Sequence, residues 1–215
     1  MLTVGEGKDY KTIGAAIAAA SAADTIEVYP GIYRESVKVN KPVSLIGIDK
    51  PLIDGGWHGE VVADSRVALL TIAADGATVE GLRVENSPGR GVTIAANDAI
   101  LRDCHIRNVR MDGFVANGAN VGGLRNILVE GCSFIGLSQK MADSKADQAA
   151  GSSFVAVYVL NSTFMNNIVG DGYKEGFNID KNTRDCLYTG NILFDTNHGG
   201  GHFNPHPGNN VRGDG

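Results

Sequence analysis

Three histidines recur at intervals of four near the end of the chain: His198, His202 and His206. In a helix this spacing would gather them on one face, but Gly199, Gly200, Gly201 and Pro205 interrupt any helix there. On a strand, alternation sends His202, Asn204 and His206 to one face and Phe203 to the other. An imidazole titrates near neutrality, so it can take and return a proton, most effectively beside a carboxylate that holds its tautomer. Asp171, Asp180 and Asp185 lie just upstream, interspersed with Tyr173, Lys174, Lys181 and Arg184. Zinc is an alternative use for the three histidines, but glycine-rich spacing leaves such a site poorly held. Calcium is the cofactor that the three aspartates would admit if they converged, although their spacing matches no calcium loop. No metal site is assigned from the sequence.

Something must bring these residues together, and the chain repeats itself from about residue 69. Five segments share a small or polar residue, a variable pair and an apolar residue: Gly81–Val84, Asp103–Ile106, Gly131–Phe134, Asn161–Phe164 and Gly190–Leu193. They start 22, 28, 30 and 29 residues apart. Periods of this size mark solenoids, and short β-rich segments without intervening helices fit a right-handed parallel β-helix. A second series runs in phase, with Phe114, Phe154, Phe177 and Phe203 expected as one inward stack. Val84, Ile106, Phe134, Phe164 and Leu193 form the other expected stack. Successive coils lie about 4.8 Å apart. Matching Phe177 to Phe203 therefore places Asn178 beside Asn204 and Asp180 beside His206, with Lys174 and His202 nearby. Cys104 and Cys132 fall at equivalent positions one coil apart and read as stacked, buried thiols.

Residues 11–23 make one alanine-rich helix with Thr12 as N-cap and Ile13 and Ile17 on one face. Such a helix suits the first coil, whose apolar end needs a cover. Asp24–Tyr33 reads as a strand ended by Pro30-Gly31. Residues 138–151 read as a protruding polar loop. Trp57 sits in a glycine-rich turn, where local packing is its usual role. The whole chain, 1–215, reads as one all-β domain with this N-terminal cap. The far end lacks a matching cap, so self-association or a further C-terminal domain is expected to cover it.

Composition narrows the partners. Among 215 residues there are 29 glycines and 6 prolines, with 43% hydrophobic and 20% charged residues. Turn-rich β-architecture tolerates that glycine content; a helical bundle does not. The net charge of −5 argues against nucleic acid. No apolar run approaches the ~20 residues of a membrane-spanning helix. Met1 leads straight into Leu-Thr-Val-Gly, without a basic and then apolar leader.

Residues 3–47, with Gly-Lys-Asp-Tyr-Lys-Thr-Ile, Val-Tyr-Pro-Gly-Ile-Tyr-Arg-Glu and Leu-Ile-Gly, resemble the start of pectin methylesterases and related pectin-lyase-fold proteins. The esterase segments Asp-Phe-Ile-Phe-Gly and Gln-Gly-Arg do not occur. Residues 112–201 are similar to the catalytic module of alginate (mannuronan) C5-epimerases, through Phe154–Asn167 and the Gly176-Phe-Asn-Ile and Thr-Gly-Asn-Ile-Leu stretches. The epimerase motif Tyr-Gly-Phe-Asp-Pro-His falls on Asp112–Asn117, which keeps only Gly113 and Phe114. Val115 and Asn117 replace its Asp and His, and Lys174 stands where its arginine would be. His202–His206 reproduces Phe-Asp-Pro-His with Asn204 for Asp.

The resemblance implies a secreted or cell-surface carbohydrate-active protein of lyase or epimerase lineage, with an acidic polysaccharide such as alginate or pectate as partner. Such chemistry needs a cation for the sugar carboxylate and groups that move the C5 proton. On this reading His206, Asp180, Lys174 and His202 carry catalysis, and Asn178, Asn204, Tyr173, Lys181 and Arg184 bind substrate. The region of Asp112, Val115 and Asn117 is expected to be silent. The alternative is a non-catalytic polysaccharide-binding or structural β-helix.

Overall fold

Short runs of alternating apolar residues, each ended by a Gly, Asn or Asp corner, cannot bury an apolar face alone and do so by stacking on their equivalents. The computed structural model describes residues 1–60, 62, 66–137, 151–196, 201–203 and 212–213, the last two segments by their backbone only. Among the described residues, all strand pairings are parallel. They build three long sheets: sheet A with nine strands, sheets B and C with seven each, and a two-stranded ribbon, Leu124–Arg125 with Val159–Leu160. Each coil visits A, then B, then C, in a right-handed parallel β-helix. The expected architecture is therefore observed.

The inward columns are continuous. In sheet C, Leu70, Val92, Phe114, Phe154 and Phe177 pair in successive rungs. The Phe114 and Phe154 rings stack at 4.3 Å, and Phe177 meets Phe154 edge-on at 5.0 Å. In sheet B the column is Val84, Ile106, Phe134, Val169 and Leu193. Phe164 belongs instead to sheet A, between Val129 and Tyr188. The fourth repeat read from the sequence is thus misplaced: the counterpart of Gly131–Phe134 is Asn166–Val169. Asn161 misled because it turns a different corner with the same left-handed backbone (φ +49, against +56 at Asn166). A polar residue two or three before an apolar one marks both corners alike.

Phe203 pairs with Ile179, and Gly201 takes the place opposite Phe177. The expected Phe177–Phe203 match is therefore off by two residues. All three sheets advance 24 residues in this coil, from Thr163 to Leu187, Ile168 to Ile192 and Phe177 to Gly201. A match to Phe203 would break that common length.

The helix is shorter than residues 11–23, spanning Ile13–Ala19. The Thr12 hydroxyl accepts from the Ala15 amide as its cap, and Ile13 and Ile17 are buried over the first coil. Glu35 accepts from the Ile13 and Gly14 amides at 2.8 and 2.9 Å, so a residue of the first coil pins the helix start. The segment after it is two strands: Thr25–Val28 in sheet A and Ile32–Tyr33 in sheet B. Pro30-Gly31 separates them. Cys104 and Cys132 are free, buried and on adjacent rungs, with burial and its thiol neighbour pushing Cys132 well up. Trp57 is buried, its indole N–H donating to the Glu60 carbonyl at 2.9 Å.

Candidate functional site

Strand alternation decides which side chains sheet C turns away from the core, although Val115 among them is itself buried. With Phe114, Phe154 and Phe177 inward, the outward row is Lys38, Thr71, Thr93, Val115, Val155 and Asn178 in successive rungs, and the backbone of His202 pairs next in register. Asn117, Val157 and Asp180 form the next outward row. Asn178 therefore pairs with His202 rather than Asn204. Asn204, His206 and His198 lie outside the described residues, as do 138–150 of the expected loop, and the side chain of His202 is likewise not described.

The corner leading from sheet B into sheet C collects the polar groups. Asp112 is 6% exposed. Its Oδ2 accepts from Arg90 Nε at 2.9 Å and its Oδ1 from the Ser152 amide at 3.0 Å. The Ser152 hydroxyl donates to Glu175 Oε2 at 3.0 Å and accepts from Asn178 Nδ2 at 3.1 Å. One line of hydrogen bonds thus crosses four coils, from Arg90 through Asp112 and Ser152 to Glu175 and Asn178. The Gly151 backbone lies directly over the Asp112 carboxylate: a Cβ there would sit 1.9 Å from Oδ1. Asp112 is consequently a held carboxylate, closed to substrate, whereas Glu175 is half-buried at the near end of the line.

Tyr173 and Lys174 stand in the same turn as Glu175, so they share this corner with Asn178. Asp180 ends its strand, and its Oδ1 accepts from the Lys181 amide at 2.7 Å as the chain turns away toward sheet A. Lys181 and Arg184 lie on that opposite corner. The substrate-binding set read from the sequence is therefore split across the width of sheet C. Asp171, on a strand of sheet B, Asp180, and Asp185, just before sheet A, occupy three separate segments. Among the described residues no group of three or more His, Cys, Asp or Glu side chains could hold a metal ion. These aspartates do not fit calcium.

Arg90, Ser152 and Glu175 are absent from the sequence reading. They sit in corners, where no periodicity fixes direction. Their one signal is Glu175 beside Lys174, immediately before a recognised strand.

A family model described as the right handed beta helix region matches residues 54–214. No curated protein sequence matches the chain. Among solved structures, pectin methylesterase PemA from Erwinia chrysanthemi is similar with a TM-score of 0.59 at 13% identity, over 90% of this chain and 66% of that one. The pectin methylesterase from Aspergillus niger gives 0.51 at 13%, over 93% and 85%. Pectate lyase Pel9A gives 0.50 at 12%, over 97% and 68%. At such identities the likeness is one of fold.

Proposed function

The chain belongs to the right-handed β-helix family, and from that premise we propose that it acts on or binds an acidic polysaccharide, a polyuronate of pectate or alginate type, along sheet C and its entry corner. The observation that carries the reading is the line Arg90–Asp112–Ser152–Glu175–Asn178, which rigidifies one edge of that face across four coils. Fold by itself assigns no activity. It is the cation, carboxylate and amide gathered at Lys174, Glu175 and Asn178 that suit a uronate. The pectin methylesterases and pectate lyase of the same fold favour a pectin-type polymer over alginate.

In this proposal Lys174 offsets the sugar carboxylate as a point charge, which acidifies the C5 proton. Glu175 removes that proton, and Asn178 and Tyr173 orient the ring. Elimination then breaks the C4–O4 bond, with the C5 electron pair forming the C4–C5 double bond and a proton passing to the leaving oxygen. Epimerisation returns a proton to the opposite face of C5 instead. His202, whose backbone pairs with Asn178, and His206 are the candidates for that second transfer, with Asp180 and Asn204 as their polar neighbours in sequence. A polymeric substrate is met outside the cell, so we assign the protein to the secreted or cell-surface fraction.

A second reading, a binding module without turnover, has its own support: Val155 and Val157, both half-buried, leave the middle of the outward face apolar. Incubation with pectate and with alginate, each with and without calcium, separates the readings. Absorbance from unsaturated ends marks a lyase, an altered uronate proton spectrum without cleavage marks an epimerase, and binding alone marks the module. For an enzyme, Glu175→Gln should lower turnover by at least ~10²-fold, the share of a general base. Loss on His206→Ala with Glu175→Gln unaffected would transfer the base role to His206.

A further inference from the structure

The opposite corner of sheet C, where the chain turns toward sheet A, holds a second cleft that takes no part in the site above. It has a volume of about 360 Å³ and is lined by Gly122, Gly123, Tyr158, Leu160, Asn182 and Arg184, with Ala119 at its edge. Leu160 ties it to the ribbon of Leu124–Arg125 and Val159–Leu160, which the Leu160–Arg184 bridge extends.

Two features give this cleft a chemistry. Tyr158 holds a left-handed backbone, φ +55, a conformation unfavourable for a bulky residue and maintained only where surroundings over-determine it. The Tyr158 amide donates to the Lys181 carbonyl at 2.9 Å, and its own carbonyl accepts from Leu124 at 3.0 Å. Gly118 admits that carbonyl, since a Cβ there would come within 2.5 Å of it. The ring is thereby presented, half-buried, at the cleft, and its hydroxyl bonds to none of the described residues. The Arg184 guanidinium is exposed beside it and forms no ion pair or hydrogen bond with a described residue. Gly122 and Gly123 leave the cleft open between them: a Cβ on Gly122 would meet nothing within 4 Å.

We propose that this cleft binds a single carboxylated sugar residue, its pyranose face on Tyr158 and its carboxylate on Arg184. An aromatic ring covers the apolar face of a sugar, and a guanidinium forks a carboxylate with two parallel hydrogen bonds. Inorganic phosphate would use Arg184 and leave the ring idle; a neutral sugar would do the reverse. The choice of an acidic sugar rests on the polyuronate reading, whereas the site itself lies a strand's length from Glu175, about 13 Å for the four residues Phe177–Asp180. It would anchor a polymer at a second point, outside the sheet C face.

Backbone amide NMR of the full chain titrated with trigalacturonate tests this, with maltotriose and inorganic phosphate as comparison ligands. Shifts are expected at Gly122, Gly123 and Asn182 with trigalacturonate and not with the other two. Arg184→Gln and Tyr158→Asn should each weaken those shifts about tenfold or more, the scale of losing a charge-assisted partner or an aromatic surface. Asparagine tolerates the left-handed backbone, so Tyr158→Asn removes the ring while keeping the fold, and an unchanged thermal melt verifies it. Lys174→Ala should leave this site's shifts intact. Shifts confined to Lys174, Glu175 and Asn178 overturn the inference and leave the sheet C reading standing. Shifts confined to this cleft do the opposite. Equal response to maltotriose or to phosphate, or indifference to both substitutions, also overturns it.

Discussion

Two residues show how side chains in this protein hold their surroundings. Phe154 is fully buried and lies against Phe114, Phe134, Phe164 and Phe177 at ring separations of 4.3–5.4 Å. Phe154→Ala should cost about 3–5 kcal/mol, because the stacked coils cannot collapse into the space; a denaturant melt gives the value, and a cost under ~1 kcal/mol would contradict the column. Asp54 is held otherwise. Asn86 Nδ2 donates to its Oδ1 at 2.8 Å, the Gly56 amide adds a bond at 3.1 Å, and Arg34 lies 3.4 Å from Oδ2. The Asn86 bond first, then the Gly56 amide and Arg34, hold this carboxyl below its usual range against the opposing effect of burial. A carboxylate lowered in the folded state contributes stability that is present above its unfolded value, about 3.9, and is lost as pH falls through the folded one. Asn86→Gly keeps the left-handed backbone of that position, φ +58, and removes the donor. Unfolding measured from pH 6 down to ~2 should then show a shallower acid-side loss in the variant than in the parent chain.

At the scale of elements, stability is decided where one coil turns over the next. Gly76 and Gly81 have the same backbone angle, φ +73, in different company. A Cβ on Gly76 would meet nothing within 4 Å, whereas one on Gly81 would sit 2.7 Å from the Gly47 carbonyl oxygen of the coil before. Gly76→Ala should therefore cost only the left-handed penalty, about 1–2 kcal/mol. Gly81→Ala must also push neighbouring backbones away from each other, adding about 1–3 kcal/mol as overpacking does. Equal costs in thermal melts would show that the corners are looser than the geometry states. The helix start obeys the same logic, since the carboxylate of Glu35 serves two amides that the helix cannot bond itself.

At the scale of the molecule, each strand among the described residues pairs with strands a whole coil away. Ala68–Ile72 pairs with Arg90–Ile94, and Phe114–Asn117 with Phe154–Val157. Among the described residues no hairpin shortens these separations, because a parallel pair needs a crossover. Refolding from denaturant should therefore run in milliseconds to seconds or slower, as expected for non-local β pairing. Stopped-flow fluorescence from the single tryptophan, buried Trp57, can follow it. Recovery of the full amplitude in microseconds would contradict the topology. The same stacking explains how a chain with a net charge of −5 carries Lys174 and Arg184 on opposite rims of one sheet: neighbours in sequence are separated by a strand's length, and residues from distant coils become neighbours.

The sequence by itself determined the architecture, the capping helix, the buried cysteine pair and the run Phe114, Phe154, Phe177. Each depends on alternation or helical period, which a linear pattern carries directly. It did not determine which coil positions align once loop lengths vary. The long coil through Phe154 displaced Asn161–Phe164 from its expected sheet, and Phe203 was matched on residue type when the coil length required Gly201. Nor did it reveal the line from Arg90 to Asn178. Corners carry no period, and hydrogen bonds between coils join residues 22 to 40 positions apart. Only the stacked structure brings Asp112 under the Gly151 backbone and Ser152 between Glu175 and Asn178, because only there is the 4.8 Å step between coils realised.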